Sequence, residues 1–191
     1  YHGISSPAIH HSRSTSFSDR GMTLEGELNK TNQFYLKNEI AVIHKKPTPI
    51  QIVSVDYPKR SAARIKDAYF SKASTTDYNG VYRGKYIDFD AKETRLKTAF
   101  PLKNVHKHQV VHMQQCLKQG GICFLIIKFV SDQAIFLLKA TDLIYFWNLQ
   151  ANGGRKSIPR ETVEKLGFQI KYGINPLIPY LKAVDQLIDT K

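Results

Sequence analysis

Two apolar runs constrain the fold of this chain more than anything else in it: ICFLIIKF at Ile122–Phe129 and, after a short polar break, AIFLLK at Ala134–Lys139. Neither approaches the length of a membrane span, and the first is too continuously apolar for a strand with one wet face. It reads as a central strand buried on both sides, which requires helices above and below its sheet. The rest of the chain can supply them. Helices are expected from a Thr23 cap to about Lys37, over Leu102–Gln119 as far as Gly120-Gly121, and over Thr141–Leu149, Pro159–Leu166 and Leu177–Ile188. Further strands are expected in EIAVIHK, over Ile50–Val55, in a hairpin turning at Arg83-Gly84, and near Phe168–Lys171. With no internal repeat, this order predicts an α/β protein: one domain over residues 22–191, built on a mixed sheet flanked by helices.

At 191 residues and 42% hydrophobic, the chain is long enough for one well-filled core. Its net charge is +12 with histidine neutral, which favours a polyanionic partner, nucleic acid before an anionic membrane surface. Residues 1–21, rich in serine, histidine and arginine, read as a flexible basic arm. A segment at about 56–74, containing YPKRSAARIKDAYFSKA, carries five basic residues and three aromatics without an apolar face, and is expected to protrude. Cys116 and Cys123 are too few for a disulfide framework and read as core residues. With no apolar run of membrane-spanning length and no apolar leader, the expected location is the cytoplasm, without a membrane partner.

Against that basic background, TTDYNGVYRGKYIDFDAKET at Thr75–Thr94 gathers acids. Side chains alternate along a strand, so Ile87, Phe89 and Ala91 share one face of YIDFDAKET while Asp88, Asp90 and Lys92 share the other. A solvated polar face or cross-strand ion pairs would explain this, but aspartate is disfavoured in strands and two at i and i+2 repel. A divalent cation would relieve that repulsion, and Lys92 on the same face could stabilise charge on a phosphoryl oxygen. Asp77 precedes Asp90 by thirteen residues across the expected hairpin, with Thr75 on the same face as Asp77. An acid, a gap and D-x-K form the pattern of metal-dependent nucleases written PD-(D/E)xK. Alone the pattern is weak; on a hairpin in a strongly basic chain it gains weight.

Longer words carry a more specific likeness. RGMTLE at Arg20–Glu25, AVIHKKPTPIQIV at Ala41–Val53, YPKRSAA at Tyr57–Ala63, STTDYNGVY at Ser74–Tyr82, YIDFDAKET at Tyr86–Thr94 and KSIPRE at Lys156–Glu161 together resemble the RecU-type Holliday junction resolvases. The resemblance implies a restriction-endonuclease-like fold and a homodimer that nicks opposed strands of a four-way DNA junction with Mg²⁺ or Mn²⁺, in recombination and repair. It implies metal ligation by Thr75, Asp77, Asp90 and Gln109, with Lys92 stabilising the transition state and Asp88 in a supporting role. The segment at about 56–74 resembles the family's stalk, in which Arg60 contacts phosphate and Phe70 stacks near the crossover; packing of Phe70 onto its own domain is the plainer alternative. Nucleoid association follows, with a recombinase and a branch-migration helicase as further partners.

The chain departs from the family at one position: Asp90 stands where the family usually has glutamate. A shorter acid implies weaker activity or a preference for Mn²⁺, and keeps a second reading open, a junction-binding and strand-annealing protein with little or no cleavage. A nuclease acting on linear duplex is a third reading, disfavoured by the stalk motif. Among other signals, His108 and His112 share a helical face but lack an HExxH glutamate or a third ligand, so with His106 they read as solvated helix residues. Glu25 reads equally as an outer carboxylate of the site or a helix-capping charge. Tyr145, Phe146 and Trp147 are expected to pack a helix onto the sheet, and GGRKS at Gly153–Ser157 to form a basic surface turn.

Overall fold

The computed structural model of the chain describes residues 22–59, 62–71 and 74–189. The arm expected over residues 1–21, and Arg60, lie outside the described residues. Helix α1 (Leu24–Lys37) starts where the sequence places it. Thr23 Oγ1 accepts a hydrogen bond from Gly26 N at 3.3 Å, and Glu25 and Glu27 in the first turn suit the positive end of the helix. Strand β1 (Val42–Lys45) follows. Next comes a two-stranded ribbon, β2 (Ile50–Lys59) with β3 (Ala62–Phe70), in which every side chain described on β3 is exposed. Sequence reasoning expected a protrusion here but only its first strand. The protrusion is a two-stranded ribbon that begins at Ile50, with register shifts between Ile52 and Ser54, Ser54 and Val55, and Asp56 and Lys59, and its side chains show no apolar alternation.

Beyond the ribbon come β4 (Tyr78–Tyr82), β5 (Lys85–Thr94) and β6 (Ala99–Pro101). A single 3-10 turn, Leu102–Asn104, precedes α2 (Lys107–Lys118). The helix expected over Leu102–Gln119 is therefore broken. Val105 is extended between the two pieces, with Leu102 and Val105 both buried in the core. Then β7 (Ile122–Phe129), β8 (Ala134–Lys139), α3 (Ala140–Ala151), β9 (Ser157–Pro159), α4 (Arg160–Leu166), β10 (Phe168–Ile170) and α5 (Leu181–Asp189) complete the chain. The pairing of β6 with β9 was not foreseen, since three-residue strands leave no pattern. Helix α5 begins later than expected because Pro179 lacks the N–H that a helix interior needs.

The main sheet has the order β1-β4-β5-β7-β8-β10, with β5 and β7 parallel and every other neighbouring pair antiparallel. ICFLIIKF is β7, one of the two middle strands, and is buried at all of its residues, as its continuous apolarity requires. Its two faces feed two cores. Phe124 and Ile126 join Ile87, Phe89, Leu28 and Tyr180 under α1 and α5. Cys123, Leu125 and Ile127 join Val110, Met113, Leu143 and Val163 under α2, α3 and α4. This is the expected α/β architecture, a mixed sheet between helices. Among the described residues no helix is long and apolar enough to cross a membrane.

Candidate active site

The β4–β5 hairpin closes at Tyr82↔Lys85 through Arg83 and Gly84, whose φ values of 49° and 68° suit a two-residue turn that follows the twist of the strands. Its register runs to Tyr78↔Phe89. Asp77 lies immediately before β4, close enough for its charge to act on the Asp90 carboxyl. The alternation read from YIDFDAKET holds: Ile87 and Phe89 enter the core under α1, while Asp88 and Asp90 face the α2 side, paired along β7 with Cys123 and Leu125. That second face is not solvated, however. Asp88 and Asp90 are both 0% exposed.

Asp90 is incompletely satisfied. Its Oδ1 accepts from Ala91 N at 2.8 Å and lies 3.0 Å from Lys92 Nζ, but Oδ2 is buried with no partner. Burial pushes its carboxyl up to about 6, the nearby Asp77 charge adds to the rise, and the Lys92 ammonium opposes both. Asp77 is half-buried, and its backbone carbonyl accepts from Lys46 N at 2.7 Å. Thr75, also half-buried, donates through its hydroxyl to Thr76 O at 3.2 Å. A buried carboxylate oxygen without a partner, within reach of a second acid's charge, is a hard-oxygen donor set of the kind that Mg²⁺ or Mn²⁺ takes. The residues present fit a divalent cation.

Asp88 is the opposite case. Its Oδ2 accepts from Lys46 Nζ at 2.9 Å, Tyr86 Oη at 2.9 Å and His112 Nε2 at 3.0 Å, while Oδ1 accepts from the Thr76 hydroxyl. Burial alone would raise its carboxyl, but the bonds from Thr76, Lys46 and His112 outweigh burial and hold it below the ordinary aspartate value. The repulsion expected between Asp88 and Asp90 is thus relieved at Asp88 by a lysine. The Asp88, His112 and Cys116 ligand atoms lie within 4.8 Å of one another, but the Lys46 ammonium already supplies the charge a metal would bring there. His112 is accordingly not the solvated residue that its helical position suggested.

Gln109 is buried in the first turn of α2, where its Oε1 accepts from His106 N at 3.0 Å and caps the helix. The same oxygen keeps a second lone pair. Glu93 accepts from Leu24 N at 3.0 Å, which ties the start of α1 to β5 beside the site. Glu25 is ion-paired with Lys45 at the surface, and its charge reaches Tyr78 together with those of Asp77 and Asp90. Phe70, at the root of the ribbon opposite Ile50, is 79% exposed and does not pack onto the domain. Cys123 is buried and Cys116 only partly so. Phe146 and Trp147 pack against the second core, whereas Tyr145 is exposed. Sequence reasoning missed Lys46 and Thr76 as partners of Asp88; a lysine next to two prolines and a second threonine before Asp77 were the only local signals.

Comparison with known proteins agrees with the residue words quoted above. The sequence profile of RecU, described as Recombination protein U, matches residues 19–186. The Holliday junction resolvase RecU of Pediococcus pentosaceus is 68% identical over 173 residues, 91% of this chain and 86% of that protein. The protein of the same name from Lactiplantibacillus plantarum is 66% identical, over 91% of this chain and 84% of the relative. Among solved structures, Hjc, a Holliday junction resolvase from Archaeoglobus fulgidus, is 10% identical with a TM-score of 0.41, covering 70% of this chain and 86% of that one, a likeness too loose to build on. Matched along most of its length and at this level of identity, the chain belongs to the RecU family.

Proposed function

We propose that the chain is a Holliday junction resolvase, an endonuclease that nicks opposed strands of four-way DNA junctions with Mg²⁺, Mn²⁺ serving in its place. The observation that carries this reading is the buried, half-satisfied carboxylate of Asp90, which feels the Asp77 charge and has Lys92 against the same group. Asp77 and Asp90, with Thr75 and Gln109, would hold the cation. When bound, the cation supplies Lewis-acid stabilisation of charge developing on the scissile phosphodiester. Asp90 holds the Lys92 ammonium through Oδ1, which fixes a positive charge at the edge of the site for a phosphoryl oxygen. The apolar wall of Leu125 and Ile127 along β7 limits water around both groups and strengthens their interaction.

Junction binding draws on the +12 charge, and its affinity falls steeply with added salt. The exposed β2–β3 ribbon is the stalk, with Arg60 on phosphate and Phe70 stacking on an unpaired base. Two opposed nicks require two sites related by a two-fold axis, hence a homodimer. A recombinase and a branch-migration helicase are further partners, and the nucleoid in the cytoplasm is the place of work. No feature of the site favours a protein that binds junctions without cutting them, since Asp90 keeps both the influence of Asp77 and its lysine. The test is Asp77→Asn on a labelled mobile junction. Cleavage should fall by ~100-fold or more while binding persists, and full cleavage by this variant would remove the metal assignment.

A further inference from the structure

The candidate ligands come from three separate pieces of chain: the turn before β4 carries Thr75 and Asp77, β5 carries Asp90, and α2 carries Gln109. These pieces must be held in register for the site to exist. One side chain touches all three. Asp88 belongs to β5, two residues from Asp90 on the same face. Its Oδ1 accepts from Thr76, the residue between Thr75 and Asp77. Its Oδ2 accepts from His112, on the same helix as Gln109. Lys46 closes the arrangement: Nζ reaches Asp88 Oδ2 and Thr76 Oγ1, each at 2.9 Å, while its backbone N–H donates to the Asp77 carbonyl at 2.7 Å. Asp88 and Thr76 are 0% and 2% exposed, so water competes little for these bonds.

We propose that Asp88 is a positioning residue for the cation site, acting through Lys46, Thr76 and His112 to hold the Asp77 turn and α2 against Asp90. It is not counted among the ligands, because both of its oxygens already have partners and the Lys46 ammonium balances its charge. This inference rests on the reading of Asp77 and Asp90 as cation ligands. Partners that orient metal ligands typically change metal affinity or activity by about 10–100-fold when removed. The effect expected here is on the concentration of metal the enzyme needs rather than on its grip on DNA.

The experiment measures junction cleavage by the full chain across a Mg²⁺ titration, alongside junction binding without metal. In Asp88→Asn the half-saturating Mg²⁺ should rise about 10–100-fold, with much of the rate recovered at high metal and metal-free binding unchanged. Thr76→Val, which removes only the hydroxyl, should shift the midpoint in the same direction, and Thr76→Ser should restore it. A wild-type midpoint in Asp88→Asn overturns the proposal, whether the rate is normal, uniformly reduced, or accompanied by a lower melting temperature. If Asp88→Asn does not fold, the Thr76→Val and Thr76→Ser pair decides, and an unshifted midpoint in Thr76→Val overturns it. Asp77→Asn, run in parallel, tests the underlying reading by itself: it should stay ~100-fold or more below wild type at every Mg²⁺ concentration, and full cleavage would remove that reading whatever Asp88→Asn does.

Discussion

Asp90 is held in a state that a surface carboxylate never meets: enclosed, beside another acid, with one oxygen left over. Such a group is unstable on its own terms and is eased by a cation or by a proton. Its length is also at issue, since the glutamate usual in the family reaches one methylene further. Asp90→Glu should raise Mg²⁺-supported cleavage relative to Mn²⁺-supported cleavage by roughly tenfold, equivalent to ~1.4 kcal/mol of geometric misfit relieved. Matched time courses in the two metals measure the ratio, and a ratio that falls or stays put would show that the shorter acid already fits. The residues of this site differ in how far they can be read from sequence. Asp90 and Lys92 sit on one strand, where alternation puts them on one face, and Asp77 lies just before the strand that pairs with it. The bonds of Asp88 to Lys46 and His112 span 42 and 24 residues, and no local pattern encodes them.

Between β1 and β4 the backbones approach so closely that a Cβ on Gly80 would lie 1.9 Å from the Val42 carbonyl oxygen. The obstacle is main chain and cannot swing aside. Gly80→Ala should therefore destabilise the protein by about 3 kcal/mol, read as a lower urea midpoint, and should reduce cleavage as well because β4 leads directly from Asp77. A variant with wild-type stability would mean that β1 can move away from the sheet. The elements legible in advance share one trait, a periodic or continuous apolar pattern imposed by burial: α1, β5, β7 and β8. Those misread lack it. Strand β3 has no core to face, β6 and β9 are too short to alternate, and the expected helix breaks at Val105, which reaches the core from extended backbone after a single 3-10 turn. Lys128 is a charge within the otherwise apolar β7, made tenable by Glu27 at 2.9 Å and by Tyr172 Oη, which donates to the same carboxylate.

Across the whole molecule, the first core is organised around aromatic rings. Tyr78 stacks on Phe89 and Phe89 on Phe124, each pair at 4.8 Å, and Tyr180 packs against Phe89 and Tyr35. Burial raises the phenols of Tyr35, Tyr78 and Tyr180 well above their ordinary value of 10.0. Tyr86 is pushed up to about 12, chiefly by burial. Because the folded values lie above the unfolded one, the stability these phenols contribute is complete below about pH 10 and is lost as the pH rises from there towards the folded values. The urea midpoint should begin to fall at about pH 9, where burial also raises the Cys116 thiol, and drop more steeply above about 10, with a slope approaching ~1.4 kcal/mol per pH unit for each tyrosine held neutral. A midpoint still level at pH 11 would contradict that account.

The ribbon leaves the domain after Pro49 and returns at Ser71, where Ser71 N donates to Pro49 O at 3.0 Å, and the Lys46–Asp77 bond lies just inside that junction. Its two roots behave as a single rivet, and the rivet is also what seats the first acid. Lengthening or trimming the ribbon in paired steps above Ile50 and Phe70 leaves that fastening intact. An inserted or deleted residue below it, between Lys46 and Pro49 or between Ser71 and Asp77, would carry Asp77 away from Asp90 even though both acids were still encoded.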